Sequence, residues 1–462
     1  MDLRDPVHNF IHLSHEERKL LDAPPLQRLR GIRQLAMANL VYPGALHTRF
    51  DHTLGVMHVA GLMARQLRLD GDGNGKDDIR LLRLAALLHD VGHGPFSHVS
   101  EAALEQYAGE ATMPVATKPE KIHETVTAQI ILENAQIKKI IGEETSKNIV
   151  QLLRDGYGEP VLKSIISGPL DADKQDYLLR DSQFCGVRYG VFDIHQLHRS
   201  LILVGQNDDR QLMVKEDGVH ALEQYAMAKY YMTANVYRHR VRLITDQMIV
   251  RAITLGVETD QIDELRKLFT YRADGDFVDN YLQWDDARFM VKFCLEQQQT
   301  ACGKMLVALR SRRLHKCIFK AKIAEFSDDA REKVKGLSKL ESKDLRKQME
   351  SELAEVVRGR RKFGAGSDRF CGDSFIVHSY TIKSVRESSR NDDAGMMVAG
   401  PGNPKPFEEE STLFGSMDEK MNEAYCELYV PVEWESPTER KRECEALREK
   451  IFTCINELCK RK

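Results

Sequence analysis

The sequence predicts a mainly α protein with a C-terminal region of mixed α and β structure. Three observations carry that expectation. Aromatic residues are only 7% of the 462 residues, so one of the strand-favouring residue classes is thin. Apolar residues recur at helical spacing along most of the chain. Short strand-like runs occur at Arg210 to Val214 and at Glu427 to Val432, the second of them close to the C-terminus.

Taken in order, Leu54 to Leu69 has one apolar face and reads as a helix. Ile79 to Val91 is apolar nearly throughout, with Leu81, Leu82, Leu84, Leu87 and Leu88, and reads as a helix buried all round. Glu124 to Leu132, Lys138 to Leu153, Asp173 to Asp181 and His220 to Gly256 have helical spacing. The strand at Arg210 to Val214 follows a turn-rich Gln206-Asn207-Asp208-Asp209. From Lys304 to Lys362 the chain is densely charged with helical periodicity. Arg386 to Met417, rich in Ser, Asn, Gly and Pro, reads as a linker or mobile loop. Ser436 to Lys460 reads as a closing helix, capped by Ser436 before Pro437. The expected division is a core over 1–300, a charged helical region over 301–385, the linker over 386–417 and a strand plus helix over 418–462.

Composition narrows the class. Hydrophobic residues are 42% and charged residues 30%, as in globular proteins. No run of about 18 apolar residues could span a bilayer. Met1 to Pro6 lacks the basic-then-apolar layout of a signal peptide. The nine cysteines are scattered without CxxC pairs, which predicts reduced thiols and a cytoplasmic location. A net charge of −3 argues against a body built to bind polyanions. Ten of the 16 histidines fall within the first 123 residues, the distribution expected around a metal or acid–base site.

The chemistry centres on Leu88-His89-Asp90-Val91-Gly92-His93. Neighbouring His and Asp cannot share a helix face, but where a buried helix ends both can turn toward one ion. Two polar residues closing so apolar a helix need partners. Imidazole with carboxylate suits Mn, Fe, Zn or Ni better than Ca. His52, in Arg49-Phe50-Asp51-His52, offers a third ligand from a neighbouring helix. In Leu170-Asp171-Ala172-Asp173-Lys174-Gln175-Asp176-Tyr177, one of three aspartates could complete a His, His, Asp, Asp set. Such a set neutralises a divalent ion and leaves positions open for water and phosphate.

The order His52, His89-Asp90, Asp173 resembles the H…HD…D signature of the HD superfamily. The phrases Gln27-Arg28-Leu29-Arg30, Tyr42-Pro43-Gly44-Ala45, Arg49 to Val56, His89-Asp90-Val91-Gly92-His93-Gly94-Pro95-Phe96-Ser97-His98 and Asp171 to Tyr177 are similar to its dNTP triphosphohydrolase branch. That branch includes animal sterile-alpha-motif/HD-domain enzymes and bacterial dGTPase-like proteins, and the resemblance covers roughly residues 4 to 255. It implies a helical HD core and a divalent metal (Mn, Fe, Mg, Zn or Ni) on His52, His89, Asp90 and Asp173. It implies catalytic roles on the phosphate side for His93, His98, Glu101 and His123, with Glu101 standing where the animal enzymes have Asp. Arg49, Lys174 and Tyr177 match phosphate-binding positions, and Gln34, Asp181 and Tyr237 match sugar-side positions. Thr233 and Lys229 replace the His and Arg of the animal enzymes.

The implied reaction is metal-dependent hydrolysis of a dNTP to deoxynucleoside and inorganic triphosphate. The alternative is an HD phosphodiesterase or nuclease acting on nucleic acid or a nucleotide signal. The branch also implies a homo-oligomer. Asp22 and Arg30 match an activating guanine-nucleotide site, but no basic segment precedes them, so little need for added dGTP or GTP is expected. Nucleic acid is the less favoured partner, since the charged stretch Arg310 to Lys362 interleaves acids and has few aromatics. His8, His12, His15, His47 and His58 read as surface or packing residues. Asp70 to Gly75 begins like a calcium loop, but Leu81 occupies the position that needs a bidentate Glu, so a polar loop is expected.

Overall fold

Side-chain caps start several helices in the computed structural model, which describes residues 1–69, 75–107, 121–205, 210–358, 372–382, 395–416 and 423–460. The chain forms two compact units. The first comprises Met1–Tyr237, Lys267–Phe289 and Ser384–Lys420; the second comprises Arg238–Arg266, Met290–Lys383 and Met421–Lys462. This interleaved division differs from the expected linear one. The calcium-like loop at 70–75 and the turn at 206–209 lie largely outside the described residues.

The first unit is predominantly helical. The helix expected from Leu54 runs Arg49–Gln66. It starts a turn earlier because Asp51 accepts from the Thr48 N–H (2.8 Å) and hydroxyl (2.9 Å), closing the N-terminus. That extra turn carries Arg49 and His52. The next helix, Gly75–Leu88, is buried around Leu82, Leu84, Leu87 and Leu88. Each such side chain stabilises by about 1.5–3 kcal/mol, ample to seat a polar His–Asp pair at its end. The expected Lys138 to Leu153 helix is two, Ala135–Ile141 and Glu143–Arg154, separated by Gly142 at φ 85°. Ala172–Cys185 is capped by Asp171, which accepts from the Lys174 N–H, and ends at left-handed Gly186.

The helix expected over His220 to Gly256 is also broken. Val219–Met232 passes into a π-helical turn, Thr233–Tyr237, and a new helix runs Arg240–Glu258 after extended His239. Thr233 and Asn235 side chains bond the carbonyls four residues back, competing with the regular ladder. The first unit also contains an unforeseen N-terminal hairpin of β1 (Asp2–Asp5) and β2 (Asn9–His12). A second sheet pairs β3 (Leu201–Val204) with β4 (Gln211–Lys215); β7 (Met397–Ala399) runs parallel to β4, and β8 (Lys405–Pro406) follows. Two of these strands and two short helices, Phe407–Glu410 and Thr412–Gly415, thus fall in the stretch expected as a linker. Buried Met396, Val398, Phe407 and Phe414 anchor them, while 386–394 lies outside the described residues.

The second unit is α+β, as expected of the C-terminal region. Strand β9 (Glu423–Val430) lies between β5 (Lys316–Lys322) and β6 (Ile376–Ile382), antiparallel to both, with Leu428 opposite Phe319 and Val377. It ends at Val430 because Pro431 cannot donate to the ladder. The Pro437–Lys460 helix, whose Glu439 N–H donates to Ser436 Oγ at 3.1 Å, lays Leu447, Ile451 and Ile455 on that sheet. The eight cysteines among the described residues are all free thiols. Among the described residues, no helix is long and apolar enough to cross a membrane.

Candidate metal centre and its surroundings

Three helices of the first unit bring the predicted ligands together. His52 comes from the first turn of Arg49–Gln66, His89 follows the Gly75–Leu88 helix, and Asp173 opens Ala172–Cys185. One ligand atom from each lies within 4.8 Å of the others. His89 donates Nδ1–H to the Ala86 carbonyl at 2.8 Å, because a carbonyl can only accept. Its Nε2 therefore carries a lone pair, and it is buried with no hydrogen-bond partner. That is the state of an imidazole prepared for a metal. Asp90 sits beside the trio, 3.3 Å from His89 Nε2 and 3.7 Å from His52 Nε2, and also accepts from Arg49 Nη1 at 2.5 Å.

The electrostatics fit a cation. His52 presents Nδ1 to Asp176 at 2.8 Å and Nε2 to Asp173 at 2.9 Å. Burial alone would lower its pKa, but hydrogen bonds to Asp173 and Asp176 outweigh this and raise it to about 10. A positive charge is thus demanded between His52 and Asp173, and a divalent ion would meet that demand. Burial would raise the Asp90 carboxyl, yet Arg49 and the neighbouring histidines hold it well below the carboxylate range.

A second group, His93, His98, Glu101 and His123, also has ligand atoms within 4.8 Å of one another. Glu101 Oε1 is 2.9 Å from His93 Nδ1, 2.9 Å from His98 Nδ1 and 3.0 Å from His123 Nδ1. The His93 and His123 rings stack at 4.2 Å. Burial pushes His93 down and keeps it neutral. Burial would likewise take His98 to about 4. Its side chain is 52% exposed, however, so solvent screening offsets much of that desolvation and Glu101 can favour the protonated ring. The neighbouring His98, His93 and His123 hold Glu101 well below its usual range despite its burial.

Local backbone explains why the phrase around His89 is so glycine-rich. A Cβ on Gly92 would lie 2.4 Å from the Thr127 nitrogen and 2.5 Å from the His123 carbonyl, so only Gly lets the Ile122–Glu133 helix approach. Phe96 and Ser97 have φ of 63° and 61°, a costly region for such residues. They are held there by the Phe96 N–H donating to Asp286 (2.7 Å) and by Ser97 Oγ accepting from Arg49 Nε (2.6 Å) and Nη2. Arg28 supports the same loop from below, donating to the carbonyls of His93, Val91 and Trp284.

Asp181 joins His47 Nε2 (2.7 Å) and the Tyr237 hydroxyl (2.7 Å). The Tyr177 and Tyr237 rings meet edge to face at 6.0 Å. Gln34 is buried with its Oε1 unpartnered. Lys174 is turned onto Asp171 and the Gly168 carbonyl (3.2 Å). Arg30 is stacked over Phe50 at 3.5 Å, and Asp22 closes the His15–Leu21 helix rather than capping the Pro24–Arg28 helix, whose N-cap is Ala23.

Sequence reasoning misses the supports: His8, Arg28, His47, Asp176 and Asp286. Only Asp176 leaves a signal, its spacing of three from Asp173, which puts both carboxylates on one helix face.

Residues 49–181 match the HD domain, and residues 192–360 match the HD associated region. The chain is 34% identical over 261 residues to an uncharacterized protein of Methanocaldococcus jannaschii, covering 56% of this chain and 51% of that one. It is 28% identical over 274 residues to the deoxynucleoside triphosphate triphosphohydrolase SAMHD1 of Gallus gallus, covering 54% of this chain and 44% of that one. It spans about half the length of these curated relatives. Among solved structures, a hypothetical protein from Aquifex aeolicus shares the fold with a TM-score of 0.67 at 24% identity, over 98% of this chain and 99% of its own. A phosphohydrolase from Bacteroides thetaiotaomicron does so with a TM-score of 0.69 at 22% identity, over 92% and 99% respectively.

Proposed function

We propose that this chain, a phosphohydrolase built on an HD domain and its associated region, hydrolyses deoxynucleoside triphosphates to deoxynucleoside and inorganic triphosphate. One observation carries the reading. The trio His52, His89 and Asp173 is joined through Asp90 to a second, histidine-rich group, since Asp90 Oδ1 is 3.3 Å from both His89 and His93. An electrophilic centre and an acid–base centre therefore stand side by side. The triphosphohydrolase SAMHD1 of Gallus gallus, 28% identical over 54% of this chain, supports the choice of substrate.

His52, His89 and Asp173, with Asp90, would hold the divalent ion. Such an ion would supply Lewis-acid polarisation of the α-phosphoryl group. Arg49 and Lys174 supply positive charge for the phosphates, Lys174 by leaving Asp171. Water adds at the α-phosphorus, releasing a proton to solvent, and the bond to the 5′-oxygen breaks. Glu101 accepts from His98 Nδ1 at 2.9 Å, orienting the imidazole and favouring its protonated form. His98 then gives its proton to the departing 5′-oxygen. Asp181 fixes the Tyr237 hydroxyl, and close packing of Tyr237 and Gln34 against the sugar would exclude a 2′-hydroxyl. The buried Gln34 Oε1, which lacks a protein partner, is suited to the 3′-hydroxyl.

The test is product analysis after incubating the purified protein with each dNTP, each NTP and single-stranded DNA, with Mn²⁺ and with Mg²⁺. Deoxynucleoside and triphosphate from dNTPs alone are expected. Degradation of DNA with dNTPs left intact would establish the nuclease reading instead.

A further inference from the structure

His52 cannot orient itself. Its ring is fixed by Asp176, whose two carboxylate oxygens each receive two donors. Oδ2 takes His52 Nδ1–H (2.8 Å) and Arg180 Nε (2.9 Å); Oδ1 takes His8 Nε2 (2.7 Å) and Arg180 Nη2 (2.9 Å). Arg180 is itself paired with Asp5 Oδ2 at 2.9 Å. Asp5 also accepts from the His8 backbone N–H at 2.8 Å, which shapes the turn that carries His8. Every member is buried; the His8 side chain is 7% exposed and Asp176 and Arg180 are 0%. Gly55, one turn after His52, makes room: a Cβ there would lie 1.8 Å from Asp176 Oδ1 and 2.5 Å from Arg180 Nη2.

We propose that the N-terminal hairpin is part of the metal centre, with His8 and Asp5 as positioning residues. They clamp Asp176 so that it receives His52 Nδ1–H and leaves Nε2 facing the ion. This rests on the reading of His52 as a ligand. A carboxylate holding the far nitrogen of a ligating histidine fixes its tautomer and raises its basicity, and loss of such support typically costs about 10–100-fold in metal affinity. The strand pair β1–β2 is too short to be stable alone, and the burial of His8 and Asp5 gives it a fixed place.

The test measures Mn²⁺ affinity of the full chain by the free-ion electron paramagnetic resonance signal, with melting curves of metal-free and Mn²⁺-loaded protein. His8→Leu, which removes the donor, should weaken Mn²⁺ binding about 10–100-fold and shrink the metal-dependent rise in Tm. His8→Gln, which keeps an N–H donor, should restore most of both. A His8→Leu protein that melts earlier but binds Mn²⁺ like the parent would show a structural role only and overturn the proposal. So would a His8→Gln protein as weak as His8→Leu. If His8→Leu does not fold, Asp5→Asn decides: weaker Mn²⁺ binding supports the clamp, unchanged binding overturns it. His52→Ala separates the two readings. If it binds Mn²⁺ as the parent does, or if the parent binds none, the ligand assignment fails and the clamp with it. If it abolishes binding while the His8 and Asp5 variants bind normally, only the clamp fails.

Discussion

Gly92→Ala probes how the two histidine groups are held together. The added methyl would sit 2.4 Å from the Thr127 nitrogen, 2.5 Å from the His123 carbonyl and 2.6 Å from Thr127 Oγ1. Two of these neighbours are backbone, so the Ile122–Glu133 helix must retreat by about 1 Å to restore ordinary contact. The Gly92 N–H bond to Thr127 Oγ1 (3.0 Å) would be lost or stretched, costing about 1 kcal/mol. Overpacking adds about 1–3 kcal/mol. The sum, about 2–4 kcal/mol, should lower Tm by roughly 2–6 °C, at about 1–1.6 °C per kcal/mol for a cooperative unit of this size. Retreat of the helix also carries His123 away from Glu101. A displacement of that size in a catalytic group costs on the order of 100-fold in rate. His52 and Asp173 lie on other elements, but Thr127 Oγ1 also donates to the His89 carbonyl at 3.1 Å, so Mn²⁺ affinity should weaken by less than the rate does. Calorimetry, metal analysis and dNTP hydrolysis measure the three effects. A variant with parental Tm and rate would refute the close approach at Gly92 and with it the coupling of the two groups.

Further outcomes follow from other contacts. His89→Ala and Asp90→Ala should abolish both hydrolysis and bound metal with little change in helical circular dichroism; full activity in a metal-free Asp90→Ala protein would sink the ligand assignment. Tyr237→Ala, which removes the hydroxyl held by Asp181, should narrow the preference for dATP over ATP, measured as the ratio of kcat/KM values; equal parental rates on the two would count against a sugar-reading site. In the second unit, burial pushes His315 and His378 each down to about 4. The unfolded chain, with histidines near 6.5, then binds more protons, so stability is full above about pH 6.5 and falls toward pH 4. The slope is roughly 1.4 kcal/mol per pH unit per histidine, and His378→Gln should remove one such contribution in acid melts. Analytical ultracentrifugation should show at least a dimer, and dATP hydrolysis should need little added dGTP; a steep rise with dGTP that Asp22→Ala removes would place an activator at Asp22.

Much of the helical core, and the candidate ligands that it gathers, is legible in the amino-acid sequence. Ser436 reads as a cap and the closing helix begins beside it, whereas the earlier starts at Thr48 and Asp171 are set by hydrogen bonds that apolar periodicity does not mark. The apolar run to Leu88 shows that His89 and Asp90 close a buried helix. What the sequence hides depends on partners remote along the chain. Arg28 and Asp286 shape the loop after His89 from 65 residues before it and 190 after it, counted to His93 and Phe96, and neither forms a motif with it. Four-residue strands are too short for alternation to register, which hides β1 and β2 and makes His8 look like a surface residue. The break at Thr233–Tyr237 is hidden because its side-chain-to-carbonyl bonds leave the apolar periodicity intact. Asp173 and Asp176 share a helix face, and only the fold shows that one meets the Nε2 and the other the Nδ1 of His52.

The claim that water is directed to the α-phosphorus is tested most directly by hydrolysing a dNTP with the Mn²⁺-loaded protein in oxygen-18-labelled water and analysing both products by mass spectrometry. Label confined to inorganic triphosphate, with an unlabelled deoxynucleoside, is the expected result. Label in orthophosphate or pyrophosphate, or in the 5′-hydroxyl of the deoxynucleoside, would contradict it.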